Sequence, residues 1–165
     1  MTKIKSIFIV INLLLLIGYF NWSIYAKERI LSEGKLVLIE LAPVDPRSLM
    51  QGDYMHLNYK ENTFLEKVKI PKRGFCLLKI DSNGIGHRIA LIKDMRPLGN
   101  DEVVVKYFFD GNEYWPSIHI GAESYFFQEG KGKKYEAAKY GGLKIDRNGN
   151  SILVGLYNKD LKLIL

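Results

Sequence analysis

Five side chains capable of chemistry crowd into the twelve residues from Asp45 to His56: Asp45, Arg47, Ser48, Asp53 and His56. Arg47 carries the planar fork that recognises a carboxylate or a phosphate. Together with Asp53 it makes a candidate small-ligand site at the mouth of a sheet. The same residues also have local structural uses. Asp45 can cap a helical turn, Pro46 stands at its first position and Gly52 at its end. In that reading Asp53 pairs with Arg47 or with backbone amides, and Tyr54 and Tyr59 anchor the strand that follows. Both readings stay open at this point.

The rest of the chain offers little catalytic apparatus. Gly-x-Ser-x-Gly, His-Glu-x-x-His and the phosphate-cradling Gly-x-x-x-x-Gly-Lys loop are all missing from the sequence. His56, His87 and His119 are scattered, without a second ligand at metal spacing. Asp81-Ser-Asn83 and Asp146-Arg-Asn148-Gly-Asn150 imitate the start of a calcium loop, but the twelfth position holds Ile92 or Tyr157 where a glutamate is needed. The single cysteine, Cys76, excludes an intrachain disulfide and reads as a buried thiol. The expectation is therefore no metal and no cofactor. One enzyme alternative remains, a membrane-bound serine peptidase resembling signal peptidases, with Ser48 as nucleophile ahead of Gly52-Asp53. It lacks the Ser-Met-x-Pro context and a lysine in a general-base motif.

Positioning these side chains requires a mainly β scaffold. KLVLIEL at 35–41 is a strand bounded by Gly34 and Pro43, and DYMHLNY at 53–59 is a half-buried strand with Met55, Leu57 and Tyr59 on one face. Residues 75–80 and 87–93 flank Asn83-Gly84, and residues 143–146 and 151–157 flank Asn148-Gly149. Asn-Gly supplies the positive φ angles of tight hairpins. Residues 102–109 and 124–127 are further strands. Helix is expected only at 45–52, for a turn or two, and at 133–139. These short strands at hairpin spacing predict one antiparallel β sandwich or barrel-like domain.

Ahead of that domain, Ser6 to Ala26 runs for 21 residues without a charge. As a helix it is about 31 Å long, which matches a hydrocarbon core of about 30 Å. It is apolar all round, unlike the core helix of a soluble protein, and too long for the apolar core of a cleaved signal. Trp22 and Tyr25 suit an interfacial belt. The predicted organisation is a cytoplasmic N-terminus at 1–5, a transmembrane signal anchor at 6–26, a linker at 27–34 and an extracytoplasmic β domain at 35–165. Lys3 and Lys5 favour the N-terminus inside the cytoplasmic membrane. They also account for part of the +6 net charge, leaving 22 basic and 18 acidic residues, well mixed, beyond the anchor. A nucleic-acid binder concentrates its basic charge on one face, so no nucleic acid is expected as partner, whereas mild attraction to anionic lipid headgroups is.

Within 52–59, Gly52-Asp53-Tyr54-Met55-His56-Leu57-Asn58-Tyr59 matches Gly-Asp-Tyr-x-x-Leu-x-Tyr at every fixed position. On these residues the chain resembles the bacterial GDYXXLXY protein family, and the likeness extends to Val44–Leu49 and to Gly121–Gly132. The resemblance implies a membrane-anchored envelope protein of a kind often encoded beside multi-pass membrane proteins. It carries over no catalytic or binding residue. With 20 aromatic residues to place, more than one small core readily hides, the expected role is a non-enzymatic accessory or binding subunit. Its expected partners are the lipid bilayer and a multi-pass membrane protein.

Overall fold

The computed structural model describes residues 3–42, 54–62, 70–111, 116–128 and 130–165. The helix expected at 45–52 and the start of the strand at Asp53 lie outside these residues.

The first element, α1, spans Lys3–Glu33 without a break. The segment expected as a linker at 27–34 is thus helical up to Glu33. Its charged residues sit at helix-compatible spacing, with Arg29 Nε donating to Glu33 one turn on at 3.0 Å. Gly34 makes the change of direction. A Cβ there would stand 2.4 Å from the Ile30 carbonyl and 3.2 Å from the backbone of Ile145, so only glycine lets the chain turn this tightly from helix to sheet.

Among the described residues nine strands follow: β1 (Lys35–Glu40), β2 (Tyr54–His56), β3 (Arg73–Ile80), β4 (Gly86–Ile92), β5 (Glu102–Phe109), β6 (Ile118–His119), β7 (Ser124–Phe126), β8 (Tyr140–Ile145) and β9 (Ser151–Tyr157). They form three antiparallel sheets, ordered β1-β8-β9, β2-β7 and β4-β3-β5-β6. Among the described residues no sheet closes into a barrel. The architecture is mainly β with one long apolar helix at its N-terminus.

The strand pattern supplies the core. Val37 and Ile39 of β1, Leu143 and Ile145 of β8, Cys76 and Leu78 of β3, and Val103, Val105 and Tyr107 of β5 all enter one buried cluster. Alternation along each strand puts them on the same face. The two Asn-Gly hairpins are built alike. Gly84 and Gly149 have φ of 82° and 78°. Asp81 Oδ1 accepts the amides of Asn83 and Ile85 at 2.8 and 2.9 Å, and Asp146 Oδ1 those of Asn148 and Asn150 at 2.9 and 2.8 Å. These aspartates thus organise turns.

Several boundaries differ from expectation, β2 ending at His56 rather than 59 among them, and two have a clear physical reason. Strand β8 starts at Tyr140 rather than 143, because Gly141 and Gly142, poor strand formers alone, are positions where aromatic rings press on the backbone. A Cβ at Gly141 would lie 2.8 Å from the Tyr59 ring, and one at Gly142 2.4 Å from that of Tyr157. The helix expected at 133–139 is only α2, Gly132–Tyr135. Lys131 in front of it provides no side-chain cap, so little holds the first turn.

Candidate functional site

Of the residues singled out by the sequence, Asp45, Arg47, Ser48, Gly52 and Asp53 lie outside the described residues. The rest of the motif forms a corner. Backbone pairing in β2 joins Tyr54, Met55 and His56 to Phe126, Tyr125 and Ser124 of β7. Met55, Leu57 and Tyr59 are buried and His56 and Asn58 exposed, the alternation of a half-buried strand. The Leu57 amide donates to the Glu123 carbonyl at 2.7 Å, and the Tyr59 hydroxyl donates to the Ala122 carbonyl at 2.6 Å. Glu123 in turn accepts from the Ile120 amide through Oε1 at 2.6 Å. The described parts of the two stretches, 54–59 and 122–126, far apart in sequence, therefore meet in space and lock each other. Burial pushes the Tyr59 phenol well above the ordinary tyrosine range. Leu57 and Tyr59 are packing residues with no access for a ligand.

A second region has the opposite character. Across one end of β3 and β5 runs a groove of about 630 Å³, floored by Phe75, Tyr107, Phe108 and Ile120 and rimmed by Arg73, Lys93, Lys106 and His119 with Asp94. The imidazole of His119 stacks on Phe108 at 4.8 Å. Lys106 Nζ donates to Asn150 Oδ1 at 2.8 Å, while Arg73 and Lys93 make no ion pair among the described residues. Under the groove the Tyr107 hydroxyl is buried without a hydrogen-bond partner. Its ring crosses Gly74, where a Cβ would come within 3.0 Å of that hydroxyl. Desolvation raises the phenol above its ordinary pKa, with the neighbouring Cys76 thiol adding to it. An apolar floor and a cationic rim suit an anionic ligand with an apolar part.

A third region joins the helix to the domain. A cleft of about 580 Å³ lies between α1 (Trp22, Tyr25, Ala26, Arg29, Ile30 and Glu33) and the β8–β9 turn (Asp146, Arg147, Asn148 and Asn150). That turn also caps β5, since the Lys106 amide donates to the Gly149 carbonyl at 2.8 Å. The edge of β5 ahead of β6 is thereby covered.

The sequence model of the family described as GDYXXLXY protein matches residues 16–156, from within α1 to the penultimate residue of β9. The chain belongs to the GDYXXLXY family. No curated protein and no solved structure matches it. In this GDYXXLXY protein the match takes in the motif corner, the groove and the cleft alike.

Sequence reasoning missed the groove and the cleft. Arg73 and Lys93 are twenty positions apart, and only the β3–β4 register, with Phe75 opposite Ile92, brings them to one rim. The single local signal was Lys72-Arg73-Gly74-Phe75, a basic pair beside a glycine at the start of a strand.

Proposed function

We propose that this GDYXXLXY protein is a non-enzymatic accessory subunit of a membrane complex in the bacterial envelope. In this reading residues 6–26 anchor it in the cytoplasmic membrane with Lys3 and Lys5 inside. The β domain then stands outside, and the partner is a multi-pass membrane protein. The observation that carries the reading is the placement of Asn12. α1 is long and apolar enough to cross a membrane, and Asn12 lies within that apolar stretch. Among the described side chains of α1 only Ser23, Ala26 and Ile30 are half-buried, which marks the side of the helix under the domain. Ile30 is eighteen residues from Asn12, about five helical turns, so Asn12 faces that same side, with Tyr19 and Ser23 between them. Asn21, on the opposite side, donates its amide to its own helix at Ile17, 2.9 Å away. The Asn12 amide has no such bond among the described residues. A polar amide at hydrocarbon depth is costly unless it finds a partner, and a neighbouring transmembrane helix supplies one.

Photo-crosslinking separates this role from its rivals. Probes at positions 12 and 19 are expected to capture a multi-pass membrane protein, and probes at 10 and 14, on the far side, are not. Replacing Asn12→Leu should reduce the copurified partner roughly three- to twentyfold, the range of one interhelical hydrogen bond in a membrane, without changing thermal unfolding of the β domain. A chain recovered alone from all four positions overturns the proposal. A second reading, a small-ligand module, is favoured by the groove with Phe75 and Phe108 between Arg73, Lys93 and Lys106. Thermal stabilisation by an amphiphilic anion, lost in Arg73→Ala, would distinguish it.

A further inference from the structure

We propose that the cleft between α1 and the β8–β9 turn binds the phosphate of a phospholipid headgroup, taken from the bilayer that α1 spans. The inference rests on the reading of α1 as a membrane anchor, but on neither its orientation nor its protein partner.

Depth is the first argument. The headgroup layer is about 5–8 Å thick on each side of the hydrocarbon core. The charge-free run ends at Ala26, and Arg29 lies three residues further on, about 4.5 Å along the helix axis. The wall of the cleft therefore starts among Trp22 and Tyr25, aromatic rings of the interfacial type, and rises to a guanidinium at the level of lipid phosphates.

The second argument is charge that is free to act. Four charged side chains line the cleft: Arg29, Glu33, Asp146 and Arg147. Asp146 is already engaged, accepting the Asn148 and Asn150 amides through Oδ1 and the Asn150 side-chain amide through Oδ2 at 2.7 Å. Glu33 meets Arg29 only at Nε, 3.0 Å away, which leaves the terminal guanidinium nitrogens available. Arg147 is exposed and makes no hydrogen bond or ion pair among the described residues. Arg29 and Arg147 thus line opposite walls of a space whose carboxylates are already held, Glu33 by Arg29 and Asp146 by its own turn, and a guanidinium fork binds phosphate oxygens in pairs.

Third, the cleft has somewhere to put an acyl chain. Descending from Arg29 by helical steps, Trp22, Gly18, Leu15 and Ile11 form one apolar stripe. A Cβ at Gly18 would meet nothing within 4 Å, so the stripe is open there. It lies about 100° around the helix from Asn12, which leaves the lipid and a partner helix on separate faces.

The test uses the full chain extracted in mild detergent, with bound phospholipid quantified by native mass spectrometry. Wild-type protein should retain phospholipid, and Arg147→Gln and Arg29→Gln should each lower its occupancy about tenfold or more. Lys27→Gln removes a cation at similar depth outside the cleft and should leave occupancy unchanged. Equal loss in Lys27→Gln, or no loss in either arginine variant, overturns the site. Inorganic phosphate at millimolar concentration should not displace the lipid; displacement makes this a free-anion site and overturns the lipid source. Alkaline carbonate washing of membranes comes first. If it releases the chain, the anchor reading fails and the proposal falls with it, whereas a chain that resists the wash yet retains lipid indifferently defeats the proposal alone.

Discussion

Tyr59 and Tyr107 are packed in nearly the same way and end in opposite states. Each is almost fully buried, with 1% and 4% of its surface exposed. Each also lays its ring across a glycine: a Cβ on Gly141 or on Gly74 would stand 3.0 Å from the respective hydroxyl. Yet the Tyr59 hydroxyl is closed by the Ala122 carbonyl, and that of Tyr107 is left without a partner. A buried donor without an acceptor costs about 1–3 kcal/mol. That group lies beneath a groove rimmed by basic residues, whereas the described end of the family motif is closed by its own hydrogen bond. Of the residues that name the family, Leu57 and Tyr59 are closed to a ligand.

The largest effect should come from removing the closed ring. Tyr59→Ala opens a cavity at the junction of β2, β8 and the stretch after β6, with an expected loss of about 3–5 kcal/mol in urea unfolding. Approaching the same ring from the other side, Gly141→Ala forces a methyl to 2.8 Å from its edge, and overpacking of this kind costs about 1–3 kcal/mol. The sharpest test is the pair of hydroxyl deletions. Tyr59→Phe leaves the Ala122 carbonyl unpaired and should cost about 1–3 kcal/mol, whereas Tyr107→Phe deletes a donor that has no partner and should be neutral or slightly stabilising. Equal losses in the two variants would break the contrast on which the assignment of lock and groove depends.

Much of the scaffold was legible because it rests on local rules. Asn83-Gly84 and Asn148-Gly149 must be turns, since few other pairs take positive φ so readily. The alternation of Met55, Leu57 and Tyr59 fixes which face of β2 and the residues after it is buried, and EVVVKYFF spans β5 from end to end. What was hidden depends on contacts across long stretches of chain. Ala122 is sixty-three residues from Tyr59, and no period in the sequence announces that bond. Strand β6 is two residues long, too short for any alternation. The start of β8 was masked because Gly141 and Gly142 weaken strand propensity for the sake of Tyr59 and Tyr157. The question of site or corner first raised by Asp45, Arg47 and Asp53 concerns residues outside those described, so the groove and the cleft entered through structure alone.

Alkaline unfolding gives the smallest and most discriminating measurement. Desolvation pushes the Cys76 thiol from 9.0 up to about 12, and both Tyr59 and Tyr107 are raised as well. In the unfolded chain these groups ionise at their ordinary values, so above pH 9 the unfolded state releases protons that the folded state still holds. Stability from the buried neutral thiol is thus intact below pH 9 and is lost progressively between pH 9 and about 12. At pH 9.5 the expected loss from Cys76 is about 1 kcal/mol, removed in Cys76→Ala when each variant is referred to its own stability at pH 7. Tyr59→Phe and Tyr107→Phe should leave this first decline in place and flatten only the part above pH 10. A Tyr107→Phe profile identical to wild type up to pH 12 would show that solvent already reaches this phenol in the folded protein. The orphan hydroxyl would then be a wet one, and the contrast with Tyr59 would reduce to a difference in who supplies the acceptor.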